Sequence, residues 1–467
     1  MTTPIADLRW QLLIAAALGG LLAGCSERTR LPDRADTGPR PTLVEPSQTL
    51  LPTVHVAPAE PWPAGAAPTP ARGLQVAALA AGLDHPRWLH VLPNGDVLVV
   101  ESNAPPRPDD GKGIKGWVMK KMQGRAGAGT PSANRITLLR DADGDGRAEL
   151  RTPFLEGLNS PFGVALVGDR LYVANTDAVM EYPYQTGQTR IDAPGRKLTD
   201  LPGGTLNHHW TKSLIASLDG TKLYATVGSN SNVAENGIEA EEGRAAIWEI
   251  DRASGSKRLF ATGLRNPNGM AWMTGPDGAA PVLWAVANER DELGSDLVPD
   301  YLSSVRDGAF YGWPYSWYGA HVDPRVKPQR PELVARAVVP DYALGAHVAA
   351  LGLAASVGSP LPELLVPTAA TAPAAAASAP TAATSASQGV FIGLHGSWNR
   401  RPHAGYKVVY VSFANGKPQG LPQDVLTGFI TAEGKAHGRP VGVAIDTRGA
   451  LLVADDVGNT VWRVSPR

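Results

Sequence analysis

The chain has 467 residues, 43% hydrophobic and 19% charged, enough apolar material for a large core. A formal net charge of -1 gives no electrostatic reason to expect a nucleic-acid partner. The single cysteine, Cys25, excludes an intramolecular disulfide and argues against thiol catalysis.

Residues 1–24 form a separate unit. Arg9 precedes the apolar run "WQLLIAAALGGLLAG", which has signal-peptide length and ends at "LAGC". Leu22, Ala23, Gly24 and Cys25 match a bacterial lipobox. The expected product is a periplasmic lipoprotein, acylated on Cys25 and anchored to a membrane. Ser26 stands where an Asp would signal inner-membrane retention, so the expected membrane is the outer one. Residues 25–72, with "AEPWPAGAAPTPA", read as an extended, poorly packed Pro-rich tether. A second biased run, "PTAATAPAAAASAPTAATSASQG" over 367–389, reads as a flexible surface insertion.

The rest, 73–467, repeats one pattern: an apolar strand, a turn often built on Asp-Gly or Asn-Gly, and a second apolar strand. Copies begin at His85, Ser160, His209, Asn266 and Gly345, and "RPVGVAIDTRGALLVADDVGNTVWRV" is the last. No long amphipathic helix follows the signal. A small sheet alone would leave an apolar face wet, so the sheets must pack on one another. The expected fold is all-β, a six-bladed β-propeller with long inter-strand loops. Copies average about 65 residues against roughly 40–50 in common propeller modules, which leaves long loops for a functional surface.

Polar residues gather at matching places in several copies. "GGTLNHHW" holds His208 and His209, of which one at most faces a site if both lie on a strand. "GLRNPNG" carries Arg265 and Asn266, a donor fork suited to an oxyanion or simply an Asn-stabilised turn. "NERDELGSD" supplies Glu289 and Asp291 as hard oxygen ligands for calcium, with Arg290 offsetting their charge. Trp313, Tyr315, Trp317 and Tyr318 follow, dense enough to stack on a planar ligand or to plug a gap between blades. "GLHGSWNRRPHAGYK" adds His395, Arg400 and Lys407, and "HGRPVG" adds His437 and Arg439; converging cations would suit an anionic ligand. "DADGDGRAE", from Asp141, opens like an EF-hand loop, but Thr152 occupies the twelfth position and a tight Asx-rich turn is the better reading.

Together these stretches resemble the quinoprotein sugar dehydrogenases, particularly the L-sorbosone dehydrogenase branch and, more distantly, soluble glucose dehydrogenase. "LDHPRWLHVLPNGDVLVVES", "NHHWTKSLIASLDGTKLYATVGS", "GLRNPNGMAW", "ANERDELGSDLVPDY", "FYGWPY", "GLHGSWNR" and "GRPVGVAID" carry the likeness across about 73–467. The resemblance implies pyrroloquinoline quinone (PQQ) and Ca²⁺ at one end of the propeller. It implies His209 as general base, and Arg265 as a charged contact to quinone and substrate. Asn266, Arg400, Lys407 and Arg439 would complete the cofactor site. The glucose enzyme's metal loop has a Gly-Pro pair where this chain has "NERDELG", so the metal geometry must differ, with Glu289 and Asp291 as side-chain candidates. Val441 stands where the glucose enzyme has a further arginine. The implied reaction is oxidation of a sugar or sugar-derived aldehyde, with electrons passed to a quinone or cytochrome. A non-catalytic envelope propeller that binds glycans or proteins, and a calcium-dependent lactone or ester hydrolase, are the other readings.

Overall fold

The computed structural model describes residues 27–47, 53–106, 108, 129–365 and 388–467. The expected signal segment, Cys25 and nearly all of the 367–389 insertion lie outside them. Six antiparallel sheets follow one another along the chain, the six-bladed propeller that the repeats imply. Blade one is Pro86–Val91, Val97–Glu101, Arg135–Arg140 and Leu150–Leu155. Blade two begins at Val164–Val167, blade three at Leu214–Ala216 and blade four at Asn266–Met273. Blade five begins at Ala350–Ala355 and blade six at Pro440–Ile445.

The second strand of a blade is buried on both faces, which is why it reads as a continuous apolar run. Val97–Glu101, Gly389–Leu394 and Leu451–Asp455 are buried at every position. Among the described residues, a glycine sets the turn before several of these second strands. Gly95 in "PNGD" takes φ 92° and Gly220 in "LDGT" takes φ 68°, which disfavour other residues.

The ring closes with a strand that the repeat did not reveal. Leu74–Ala81 pairs antiparallel with Thr460–Pro466, so blade six has three strands from the C-terminal copy and one from the other end of the propeller.

The Pro-rich segment is extended, as expected, but it is not poorly packed. Thr37–Gly38 adds a fifth strand to blade four and Thr69–Pro70 one to blade five. Short Pro-bearing pieces suit this place, because an outer edge strand needs few of its own donors. Asp36 is buried and accepts the Ala346 amide at 3.0 Å. Ala57 is fully buried, and Trp62 packs edge-on against Phe429 and Trp462.

Blade four carries an excursion between its third and fourth strands, with a short helix at Pro331–Val334. Trp313, Tyr315, Trp317 and Tyr318 are all buried in it, so the aromatic cluster fills the gap beside the blade. No helix among the described residues is long and apolar enough to cross a membrane.

Candidate active site

In each sheet the first strand starts, and the second ends, at the same end of the propeller. The register shows this: Pro86 faces Glu101, Asn266 faces Asn288, and Pro440 faces Asp455. The loops flanking these positions therefore gather around one end of the axis. A cavity of about 180 Å³ opens there, and His209, Arg265, Asn266, Glu289 and Asp291 all line it. Asn288, Asp300, His347, Trp398 and Asn399 complete the wall, and none of these was singled out as a ligand from sequence.

Arg265 is the organising group. Its Nη1 donates to the Glu289 carbonyl at 2.7 Å, its Nε to the Asn232 carbonyl at 3.2 Å, and its Nη2 to Asp291 at 3.1 Å. A guanidinium fixed on so many acceptors presents its charge at one place without reorganising. Asp291 also accepts from Asn399 at 2.8 Å and faces His347 Nδ1 at 3.5 Å. Burial opposes its ionisation, yet Arg265 and His347 outweigh burial and hold the carboxyl at about 2. His347 donates through Nε2 to the Gly294 carbonyl at 2.9 Å. Burial disfavours its charge, but Asp291 more than compensates and its pKa is raised. Asp300 has no cationic side chain bonded to it; burial pushes it up to about 7, against bonds from the Glu289 and Ala349 amides.

His209 places Nδ1 2.8 Å from the Ser229 carbonyl. That bond assigns the proton to Nδ1 and leaves the lone pair on Nε2. Burial, then Arg265, drives the imidazole down to about 3. It is neutral at working pH, and a weak base.

Three buried oxygens lining the cavity have no hydrogen-bond partner: Glu289 Oε1, Asn266 Oδ1 and Asn399 Oδ1. Hard oxygens of this kind fit a divalent cation. Glu289 fits that role better than Asp291, whose oxygens are already taken by Arg265 and Asn399. The other Glu289 oxygen is held by the wholly buried Arg290 at 3.0 Å.

A second charged group lies at the same end, on blades one, five and six. Asp456 is buried and accepts from Arg87, from His395 Nε2 at 2.9 Å, and faces His85 Nε2 at 3.6 Å. Burial resists ionisation, but His395, His85 and Arg87 drive the carboxyl far below its usual range. Arg439 sits 4.9 Å over the Tyr406 ring and donates to the Ala57 carbonyl at 3.2 Å. The Nε groups of Arg87 and Arg439 are both buried without an acceptor. Unpaired buried guanidinium donors are costly, and an anion would satisfy them.

Comparison with known proteins fits this architecture. The TrAA12-like family model matches residues 68–300 and 336–467. The chain belongs to the TrAA12-like family. The unmatched stretch falls on the aromatic excursion of blade four. An uncharacterised protein of Borreliella burgdorferi is 23% identical over 325 residues, covering 66% of this chain and 76% of that one. Among solved structures, an AA12 carbohydrate-active enzyme of Trichoderma reesei aligns with a TM-score of 0.64 at 18% identity, over 88% of this chain and 99% of that one. The PQQ domain of Coprinopsis cinerea pyranose dehydrogenase, in its holo form, gives 0.61 at 20%, over 88% and 100%. The soluble aldose sugar dehydrogenase of Escherichia coli gives 0.52 at 18%, over 84% and 100%. These likenesses confirm the propeller fold.

Two expected cofactor residues of this TrAA12-like chain lie elsewhere. Arg400 is captured by Asp36 of the N-terminal segment at 2.7 Å, and Lys407 pairs with Asp424 at 2.7 Å. Both line a separate groove between that segment and blades four and five. Lys407 starts a third strand, which lies outward of the strands that ring the axis. Val441 is fully buried among Trp88, Phe162 and Leu351, so position 441 serves the apolar core. Arg87, from the next blade, brings a second guanidinium to the same end, paired with Asp456.

The Asp141 loop lies at the opposite end of blade one. Asp141, Asp143, Asp145 and Glu149 bring ligand atoms within 4.8 Å of one another, a spacing a divalent cation can bridge. Asp141 already accepts the Gly144 and Gly146 amides and pairs with Arg448. A cation there would brace the turn, a blade's length from the cavity.

Proposed function

We propose that this chain is a PQQ-dependent oxidoreductase that oxidises a sugar or a sugar-derived aldehyde, such as sorbosone or an aldose. The observation that carries this reading is the pairing, at one end of the propeller, of an imidazole- and arginine-lined cavity with two arginines whose buried Nε–H groups lack an acceptor. A planar polycarboxylate cofactor matches those donors. Two of the solved neighbours are sugar dehydrogenases, and one is named as a PQQ domain.

Bound PQQ supplies an electrophilic ring carbonyl able to take a hydride. Arg87 and Arg439 would hold its carboxylates through their free Nε–H groups. Arg265 would stabilise negative charge developing on the oxygen at the reacting carbon, and Glu289 with Asn266 and Asn399 would hold Ca²⁺ beside it.

Two imidazoles compete for the role of base. His209 offers Nε2 from the cavity wall. His395 binds Asp456 through Nε2 and keeps Nδ1 free for a proton. A base gains positive charge as it works. Burial opposes that charge on both. On His395 Asp456 offsets part of it, against Arg439 and Arg87, and the pKa is lowered, whereas on His209 burial and then Arg265 drive it down to about 3. The electrostatics therefore favour His395, with His209 orienting the substrate hydroxyl.

The same reading places the protein outside the cytoplasm, anchored through Cys25, with a respiratory quinone or cytochrome as oxidant. The test is to add PQQ and Ca²⁺ to purified protein, then screen aldoses, sorbosone and simple alcohols with an artificial electron acceptor. Quinone-dependent dye reduction is expected. Failure to bind the quinone would leave a non-catalytic binding propeller.

A further inference from the structure

The N-terminal segment does not merely touch the propeller; it ends at the rim of the cavity. The Glu27 carbonyl accepts from the Ser295 hydroxyl at 3.1 Å. The Glu27 carboxylate lies so close to Gly294 that a Cβ there would come within 2.9 Å of it. Arg30 donates its amide to Asp296 at 2.7 Å, and the Thr29 amide reaches the Arg401 carbonyl at 2.8 Å. Gly294 is the residue whose carbonyl receives His347. Arg28 and Arg30 stand exposed beside these contacts.

As a free coil, a tether the length of residues 25–72 would span about 35–40 Å and leave the propeller randomly oriented. Docked as it is, the leash shrinks to the two peptide units between Glu27 and Cys25, about 7 Å of extended chain. We propose that this strap seats the cavity end of the propeller against an anionic lipid surface, with acylated Cys25 as anchor and Arg28 and Arg30 as a second contact. A lipid chain combined with neighbouring cations is how peripheral proteins hold a fixed face to a membrane. The inference rests on acylation of Cys25 and, for its consequence, on the quinone reading. That consequence concerns the oxidant wherever the anchoring bilayer carries quinone: two electrons and two protons pass from the reduced cofactor to the lipid-dissolved quinone, which leaves as the quinol.

The test uses the full-length protein in vesicles of phosphatidylethanolamine and phosphatidylglycerol that contain a nickel-chelating lipid. Cys25 being acylated, a nitroxide can be placed on Glu292→Cys at the cavity end or on Thr447→Cys in a turn at the other end. Paramagnetic relaxation by surface nickel should be strong at position 292 and near background at 447. A flexible Gly-Ser insert of about twenty residues between Ser26 and Glu27 should erase the difference. In the PQQ-loaded protein the same insert should leave soluble-dye reduction unchanged and slow bilayer-quinone reduction about fivefold or more. Equal relaxation at the two positions, stronger relaxation at 447, or an unacylated Cys25 would each overturn the proposal. Absence of any PQQ-dependent dye reduction would remove the enzymatic reading alone, since the relaxation measurement still decides the orientation.

Discussion

The two ends of the propeller treat buried charge differently. At the turn end the buried carboxylates are met by neighbours: Asp446 holds Arg463 at 2.8 Å and the Arg448 and Ala450 amides, and Asp96 holds Arg140 at 2.7 Å. At the loop end, Glu289, Asn266, Asn399, Arg87 and Arg439 each keep a buried polar atom without a partner. Leaving such atoms unmet costs about 1–3 kcal/mol each. A fold bears that cost where a ligand is to replace the missing partner, and the loop end is where the proposed cofactor site lies.

Four experiments probe that contrast. The largest effect is expected at the base. His395→Ala should cut turnover about 10²–10⁴-fold while leaving quinone binding intact, and His209→Ala should cut it less. Steady-state kinetics beside a quinone titration would decide; the reverse ranking would return the role to His209.

The second concerns pH. The folded-state pKa of Asp300, about 7, lies above its unfolded value, so its folded form binds the proton more tightly. That contribution is complete below the unfolded pKa and is lost as pH rises to about 7, a change on the order of 3–4 kcal/mol. Asp455, pushed up to about 6 by burial, acts in the same direction over a narrower window. Asp291 acts oppositely: its stabilisation is present above its unfolded pKa and is lost as pH falls to about 2. The histidines that burial lowers, His209 to about 3 and His85, His90 and His403 to about 4, act against Asp300, their contribution rising up to the unfolded imidazole pKa. The test is therefore a difference: the urea midpoint of Asp300→Asn relative to the unsubstituted protein should rise from pH 5 to pH 8.

Third, Arg439→Ala and Arg87→Ala should each weaken quinone binding by about 1.5–3 kcal/mol, roughly ten- to a hundredfold. An unchanged titration in both variants would remove the pair from the cofactor site. The smallest effect belongs to the turn end. Arg448→Ala breaks a partly exposed pair with Asp141 and should cost no more than about 1 kcal/mol, with turnover unaltered.

The repeats were legible because the second strands are largely buried on both faces and the described turns before them carry a glycine at positive φ. The closing strand was not. "LQVAALAA" carries no turn signal, and its partner Thr460–Pro466 lies at the far end of the sequence. Proline content made the N-terminal segment look loose, yet proline says nothing about where Asp36, Ala57 or Trp62 will bury. His209, Arg265, Asn266, Glu289 and Asp291 could be picked out as a set, because each sits beside a strand end in a repeat. Arg400 and Lys407 misled because charge was visible and direction was not. Arg87 and Asp456 were overlooked for the opposite reason: only closure of the ring brings blades one, five and six together.

Closure also has a temporal side. Leu74–Ala81 is synthesised long before its partner Thr460–Pro466, so a growing chain carries an unmated edge while all the intervening blades are made. The latch can fasten only once Thr460–Pro466 has been made, so a substitution that weakens that one strand threatens all six blades at once.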